Sequence, residues 1–500
     1  MRGDLDTVDS DIFVRPPEPW KPHAYQRRAV KFLLEHACAG LLLDLGLGKT
    51  ATVLAAIKIL KAKGLVQKTL VLAPLRVATS VWPAEIKRWT DFNGLTYRVL
   101  HGHDKEEQLH EEADIYITNY ESLDWLAGTT KTKVASGRTK VVPDLKRWRS
   151  LGFDLVVFDE LSKMKNVSTN RFRAIKHLLP TFKRRWGLTG SPAANGLLDL
   201  FGQMYALDTG NALGRWITHY RMQYFTLGYD GFTWAPQPGA EQRIYERIAP
   251  LCLRMAAGDY MELPELVENT ILIDLPPKVR KIYDKMEDTL LAEIDAQIVV
   301  AANAAAASTK CRQICSGGVY IDAEVKELLK PPASVKEVIH LHHEKTDALV
   351  DLVEELQGAP LLVAFDFRHD LERIREKLGD VPHLSGGVSP KRADELVQLW
   401  NAGKLPVFCV HPQSAAHGLN LQQGGASHLC WYSSSWNLEL DMQLLGRLRR
   451  QGSTAKRIIV HRLVARNTVD ELVIEALKDK EHTQAALFEG LKQLAKRRSR

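Results

Sequence analysis

A lysine and a threonine directly follow a glycine turn at Gly46-Leu47-Gly48-Lys49-Thr50. The apolar residues Leu41 to Leu43 before it have strand character, and Ala51 to Leu60 after it reads as helix. Such a turn presents backbone N–H groups at a helix N-terminus, where a polyphosphate can sit. Lys49 would reach the β- and γ-phosphates and Thr50 would ligate magnesium. The first glycine of the usual loop is absent, because Leu43 stands there. A second cluster follows an apolar run: Leu155 to Phe158 ends in Asp159 and Glu160. At the C-terminal end of a strand, Asp159 can hold magnesium while Glu160 polarises an attacking water.

The third cluster is basic. Arg447 and Arg450 lie one helical turn apart in Gln443-Leu444-Leu445-Gly446-Arg447-Leu448-Arg449-Arg450. Phosphoryl transfer builds negative charge that a planar, permanently charged guanidinium can bind in bidentate fashion. Arg450 is the expected finger, with Arg447 assisting. Taken alone, such a segment reads as a basic helix face; the phosphate turn and acid pair give it a chemical role.

Elements must carry these groups to one place. Apolar runs of strand length recur at Leu70 to Ala73, Ile115 to Thr118, Leu155 to Phe158, Leu361 to Phe365, Val407 to Val410, Leu429 to Tyr432 and Ile458 to Val460. Helical patterns separate them. Unbroken apolar strands alternating with helices indicate parallel sheets covered on both faces. The alternation occurs twice, before about residue 200 and after about residue 345, so the expected fold is α/β with two lobes. Residues 1–265 form the first lobe, with a helical and aromatic insert at about 200–265. Residues 266–345 form a linker and helical segment, with a hinge at Leu275 to Lys278. The second lobe spans 346–480, and 481–500 is a basic tail.

The insert carries Trp216, Tyr220, Tyr224, Phe225, Phe232 and Trp234, read as core packing rather than base-stacking platforms. The segment 131–149 reads as a solvated basic loop, with a nucleic-acid-contacting insert as the alternative. His340, His342 and His343 read as an exposed histidine-rich helix end rather than a metal site.

The balance of 67 basic and 60 acidic residues gives a net charge of +7, which fits a polyanionic partner without requiring one. Six cysteines in 500 residues make no disulfide framework, and Cys311 and Cys315 lack a second pair at metal-ligand spacing. The N-terminus lacks the apolar core of a signal peptide, and the run from Ile298 to Ala307 is too short to span a bilayer. The expectation is a soluble, cytoplasmic protein without a membrane partner.

These residues resemble superfamily 2 helicases, and within them Swi/Snf-type DNA translocases. The resemblance runs from about residue 20 to 480. Pro22 to Gln26 is similar to the opening motif, in which Gln26 would read adenine. Asp44 to Thr50 resembles the phosphate loop. Leu72-Ala73-Pro74 with Trp82, Glu85 and Trp89, and then Thr118-Asn119-Tyr120-Glu121, resemble the next two motifs. Asp159-Glu160-Leu161-Ser162 stands at the D-E-x-H position, with serine for histidine. Leu188-Thr189-Gly190-Ser191-Pro192 resembles the coupling motif. In the second lobe, Arg312-Gln313-Ile314-Cys315, Leu384-Ser385-Gly386-Gly387, His417-Gly418-Leu419-Asn420-Leu421, Trp436-Asn437 and Gln443 to Gly452 resemble later motifs in the same order.

The resemblance implies two tandem RecA-like lobes of the P-loop NTPase class and a DNA-dependent ATPase using ATP and Mg2+. It implies coupling through Thr189, Ser191 and Gln443. It implies nucleic-acid contacts by Pro74, Asn119, Tyr120, Ser385, Gly386, Gly387, Gly418, Asn420 and Trp436. Double-stranded DNA is the expected partner, with contacts to its backbone rather than its bases. The leading expectation is a translocase. The alternatives are a strand-separating helicase in replication, recombination or repair, the motor subunit of a larger complex, and a binding scaffold whose ATPase has decayed.

Overall fold

The computed structural model describes residues 17–478, apart from 45, 134–138, 191, 194–195, 229–233, 261–262, 296–300, 333–334, 336, 416–418 and 451–452. Seven strands build the first sheet: β1 (Cys38–Leu43), β2 (Thr69–Ala73), β3 (Tyr97–Val99), β4 (Ile115–Asn119), β5 (Leu155–Asp159), β6 (Arg184–Thr189) and β7 (Cys252–Met255). Their order across the sheet is β7-β1-β6-β5-β2-β4-β3, and every pairing is parallel. The apolar run Leu70 to Ala73 is buried throughout, as a strand covered on both faces must be. One core packs on each face of this sheet.

The second sheet holds six strands: β8 (Glu265–Ile273), β9 (Leu361–Ala364), β10 (His383–Leu384), β11 (Val407–Val410), β12 (His428–Trp431) and β13 (Arg457–Ala465). Their order is β8-β13-β12-β9-β11-β10, again wholly parallel. Parallel neighbours need helical crossovers, and these helices cover the faces. The fold is α/β with two parallel sheets, consistent with tandem RecA-like lobes.

Five strands escape the apolar-run signal: β3, β6, β7, β8 and β10. β8 lies at a sheet edge, and five of its nine residues are exposed, so no continuous apolar run marks it. It pairs with β13 along its full length, from Glu265–Arg457 to Ile273–Ala465. β7 adds an edge strand from within the aromatic stretch. The Leu275 to Lys278 segment is not an open hinge, because Pro277 begins a helix that runs to Asp295. Proline is tolerated at that first position since its missing N–H has no intrahelical partner anyway.

Tyr220, Tyr224 and Phe225 are buried in the first lobe's core as expected, whereas Trp216 is 60% exposed. His342 is a correction: its ring is buried, with Nε2 2.8 Å from the Ile314 carbonyl and Nδ1 3.3 Å from the Glu344 N–H. Burial pulls its pKa down to about 4. Among the described residues no group of three or more potential ligands could hold a metal ion. All six cysteines are free. In the basic segment, Arg147 pairs with Glu106 at 3.0 Å and Lys131 pairs with Asp124. Arg138 and the tail 481–500 lie outside the described residues.

Candidate functional site

β1 ends at Leu43, the chain turns, and a helix begins at Lys49 and runs to Ala62. Gly46 and Gly48 take φ of +92° and +72°, a region that costs other residues roughly 1–2 kcal/mol. A methyl group on Gly48 would also lie 2.4 Å from Gln26 Nε2. Gln26 braces the turn: its amide donates to the Leu47 carbonyl at 3.3 Å and its Oε1 accepts from the His23 N–H at 2.9 Å. Leu47 is buried beneath the turn. Lys49 Nζ donates to the carbonyls of Leu43 at 2.7 Å and Asp44 at 3.2 Å. Burial draws this amine down to about 8, against the pull of Glu160 and Asp159. A buried ammonium of this kind is completed by an anion.

The acid pair stands at the end of β5. Burial pushes the Asp159 carboxyl up to about 6. A 2.8 Å hydrogen bond from Trp82 Nε1 and the charge of Lys49 oppose that shift, while Glu160 reinforces it. Glu160 adopts φ 62°, ψ 65°, so the chain bends sharply after the strand. The Tyr120 hydroxyl supports this bend by donating to the Asp159 carbonyl at 2.8 Å. On the carboxylate itself, Glu160 Oε1 accepts from Ser162 Oγ at 3.0 Å and Thr189 Oγ1 at 3.4 Å.

Arg447 arrives from the second lobe on a helix spanning Leu438–Leu448, capped by Asn437 Oδ1 on the Leu440 N–H at 3.3 Å, and Arg450 follows just beyond the end of that helix. Arg447 Nη1 donates to the Leu419 carbonyl at 3.3 Å, and Arg450 Nη1 to Asn420 Oδ1 at 2.5 Å. Arg450 lies over the phosphate turn, where a Cβ on Gly46 would sit 3.1 Å from its Cγ. Burial draws the Arg447 guanidinium down to about 10; Arg450 adds to this, and Glu160 and Asp159 resist it. Arg450 is lowered too, chiefly by burial, but its opposing charge is Glu85. A cavity of about 280 Å³ joins these groups, lined by Lys49, Thr50, Asp159, Glu160, Arg447 and Arg450.

A second cavity between the lobes, of about 740 Å³, brings together Pro74, Ser385, Gly386, Gly387 and Gln443. Arg76 and Lys163 supply positive charge there. Arg76 Nη2 spans the lobes to reach Asp394 at 2.7 Å.

Four expected nucleic-acid residues are elsewhere. Tyr120 is 2% exposed beneath the acid pair, and Asn119 is buried with its amide on Glu121 at 2.9 Å. Asn420 lines the smaller cavity beside Arg450. Trp436 packs at the edge of a core and donates to Ser308 Oγ at 3.1 Å. Trp82 and Glu85 also change sides: one binds Asp159 and the other lines the nucleotide cavity. Ser191 and Gly418 lie outside the described residues.

The sequence reading missed Glu439. It accepts from Ser162 at 2.8 Å, Lys165 at 3.5 Å and Gln443 at 3.3 Å. Its spacing of four from Gln443, on one helix face, was the available signal.

Phosphate turn, acid pair and arginines from the opposite lobe, arranged around one cavity, define a nucleotide-hydrolysing cleft. Comparison with known families agrees: the SNF2-related domain matches residues 25–318, and the helicase conserved C-terminal domain matches residues 344–452. The chain belongs to the SNF2-related ATPase family. Protein p41 of the Acyrthosiphon pisum secondary endosymbiont phage 1 is 31% identical over 94% of this chain and 98% of its own length. The CHD3-type chromatin-remodeling factor PICKLE of Arabidopsis thaliana is 22% identical, and an uncharacterized ATP-dependent helicase of Mycoplasma genitalium 25%. The chain spans 34% and 41% of the lengths of those two relatives. A solved Sulfolobus solfataricus SWI2/SNF2 ATPase core in complex with dsDNA is 22% identical, with a TM-score of 0.41 over 93% of this chain and 92% of that one. Among the described residues, no helix is long and apolar enough to cross a membrane.

Proposed function

We propose that this ATPase couples ATP hydrolysis to movement along duplex DNA. One observation carries the reading: two cavities lie side by side between the lobes, and residues of both lobes line each of them. One holds the hydrolytic groups. The other holds the Pro74 turn of the first lobe and the Ser385 to Gly387 turn of the second. A change in lobe separation at the first cavity therefore changes the grip at the second, which is differential affinity between two states.

In this reading Lys49 binds the β- and γ-phosphates and Gln26 holds the turn that receives them. The Thr50 hydroxyl and the Asp159 carboxylate fit a magnesium ion, since a buried carboxyl pushed to about 6 lacks a full complement of positive charge. The bound ion supplies charge neutralisation on the phosphate oxygens. Glu160 polarises the attacking water, its bend held by Tyr120 and its carboxylate oriented by Thr189. Arg447 shares the electrostatic field of the acid pair and neutralises charge on the departing phosphate. Arg450, set over Gly46, closes the phosphate turn. This order inverts the sequence expectation, in which Arg450 was the finger.

Steady-state ATP hydrolysis without nucleic acid, and with single-stranded DNA, duplex DNA or RNA, tests the proposal. The expected outcome is stimulation by duplex that Glu160→Gln abolishes. Preference for single strands, with displacement of a strand from a plain duplex, would establish the helicase instead. Hydrolysis indifferent to every nucleic acid would refute both.

A further inference from the structure

The Ser162 hydroxyl lies between two carboxylates from different lobes. It is 3.0 Å from Glu160 Oε1 in the first lobe and 2.8 Å from Glu439 Oε1 in the second. Ser162 is 4% exposed, so water has little access to the choice. The hydroxyl has one proton and can donate it fully to one acceptor at a time. We propose that Ser162 is a positioning residue that switches its hydrogen bond from Glu160 to Glu439 when the lobes close, and so releases the base only in the closed motor. This rests on the reading of Glu160 as the residue that polarises water.

The physical basis is simple. A donor on a carboxylate stabilises its charge and weakens it as a base. With Ser162 turned toward Glu160, Oε1 carries two donors, Ser162 at 3.0 Å and Thr189 at 3.4 Å. With Ser162 turned toward Glu439, the shorter of the two is withdrawn and the carboxylate becomes the stronger base. No proton leaves Ser162 in either state; only the direction of donation changes. Glu439 is built to compete for it. Lys165 and Gln443 hold its two oxygens at 3.5 and 3.3 Å, and Lys165 is itself fixed by Asp199 at 3.2 Å. Glu439 also shares its helix with Arg447, eight residues later on the same face. One rigid movement therefore delivers the arginine to the phosphate and the competing carboxylate to Ser162. Hydrolysis without closure is suppressed at the base as well as at the arginine.

The test is a cycle of Ser162→Ala, Glu439→Ala and the double variant, with Glu439→Gln as the conservative control. ATP hydrolysis is measured with and without saturating duplex DNA. Glu439→Ala leaves the hydroxyl on Glu160, so stimulated kcat falls about tenfold, a partial loss of the roughly 10²–10⁴ that a general base contributes, while KM for ATP is unchanged. Glu439→Gln keeps an oxygen acceptor and restores most of the rate. Ser162→Ala removes that donor, so the rate without DNA rises and the stimulation ratio shrinks. The double variant exceeds Glu439→Ala in stimulated kcat, because there is no hydroxyl left to misplace. A double variant no faster than Glu439→Ala, or a Ser162→Ala basal rate at or below the native one, overturns the switch, since a purely structural contact gives losses that add. Glu160→Gln separates the levels: undiminished hydrolysis there removes the base reading itself, whatever the Ser162 variants do.

Discussion

Tyr120→Phe isolates the support under the acid pair. The phenol is buried, and its hydroxyl donates to the Asp159 carbonyl at 2.8 Å, with the Glu160 carbonyl at 3.4 Å. Burial and the neighbouring Asp159 and Glu160 charges hold its pKa well above the usual value, so it remains a donor at working pH. Glu160 needs that help, because a left-handed backbone costs a glutamate roughly 1–2 kcal/mol. One neutral hydrogen bond contributes about 1 kcal/mol, enough to offset most of that strain. Removing it lets the bend relax in part of the population. A change of about 1 kcal/mol corresponds to roughly fivefold in an equilibrium or rate.

The expected result is therefore a kcat lowered about fivefold at saturating ATP and duplex DNA, with little change in KM for ATP. The DNA concentration for half-maximal activation should hold, along with its salt dependence, because Tyr120 does not reach the larger cavity. Steady-state kinetics with DNA titrated at two salt concentrations reads all of these. A variant with native kcat but weakened activation by DNA would place Tyr120 at a phosphate and refute the supporting role.

Gly48→Ala combines a strained φ with a methyl group 2.4 Å from Gln26 Nε2; nucleotide titration should show affinity for ATP reduced at least tenfold, from about 2 kcal/mol of combined cost. Arg447→Ala should lower stimulated kcat by about 10³, the lower end for an arginine finger, and more than Arg450→Ala does; equal losses would return the finger to Arg450. His342 titrates near 6.5 unfolded but about 4 folded, so the unfolded chain holds the extra proton between those values and stability falls as pH drops through them. From pH 7 to 5 the loss is about 2 kcal/mol, which predicts a Tm drop several degrees steeper in the native protein than in His342→Gln.

The hydrolytic cleft was legible because its chemistry is local. A phosphate turn and a strand ending in two carboxylates each declare themselves within ten residues, and together they give a role to a pair of arginines three residues apart. Most internal strands were equally plain, since burial on both faces demands an unbroken apolar run, as at Leu70 to Ala73; β6 is the exception, because it opens on the half-buried Arg184 and Arg185. Edge strands escape this logic. β8 has one half-open face and carries Glu265, Glu268 and Asn269, so its place beside β13 follows from long-range pairing that no window contains. The expected nucleic-acid residues divide between places for a related reason. Motif position says which loop a residue belongs to, but not which way its side chain turns. At Asn119 and Tyr120 the chain leaves β4, and the turn points both side chains inward.

The lobe-to-lobe contacts show why this matters for function. Ser162 and Glu439 are 277 residues apart, and neither carries a distinctive signal: a serine where histidine is usual, and a glutamate on an amphipathic helix. Their meeting depends on the placement of two independently folded sheets. A motor needs contacts of that kind, because groups confined to one lobe do not sense closure. Lys49, Asp159 and Glu160 all belong to the first lobe and could meet ATP with the cleft open. In the proposed mechanism, what makes hydrolysis conditional comes from the second lobe and sits on a single helix: Glu439, Gln443 and Arg447 at intervals of four. That periodicity places the competing carboxylate, its anchoring amide and the arginine on one face, so they advance together. In the proposed mechanism the coupling of chemistry to movement is concentrated in about three turns of helix, where Glu439 looks ordinary until the facing lobe is in place.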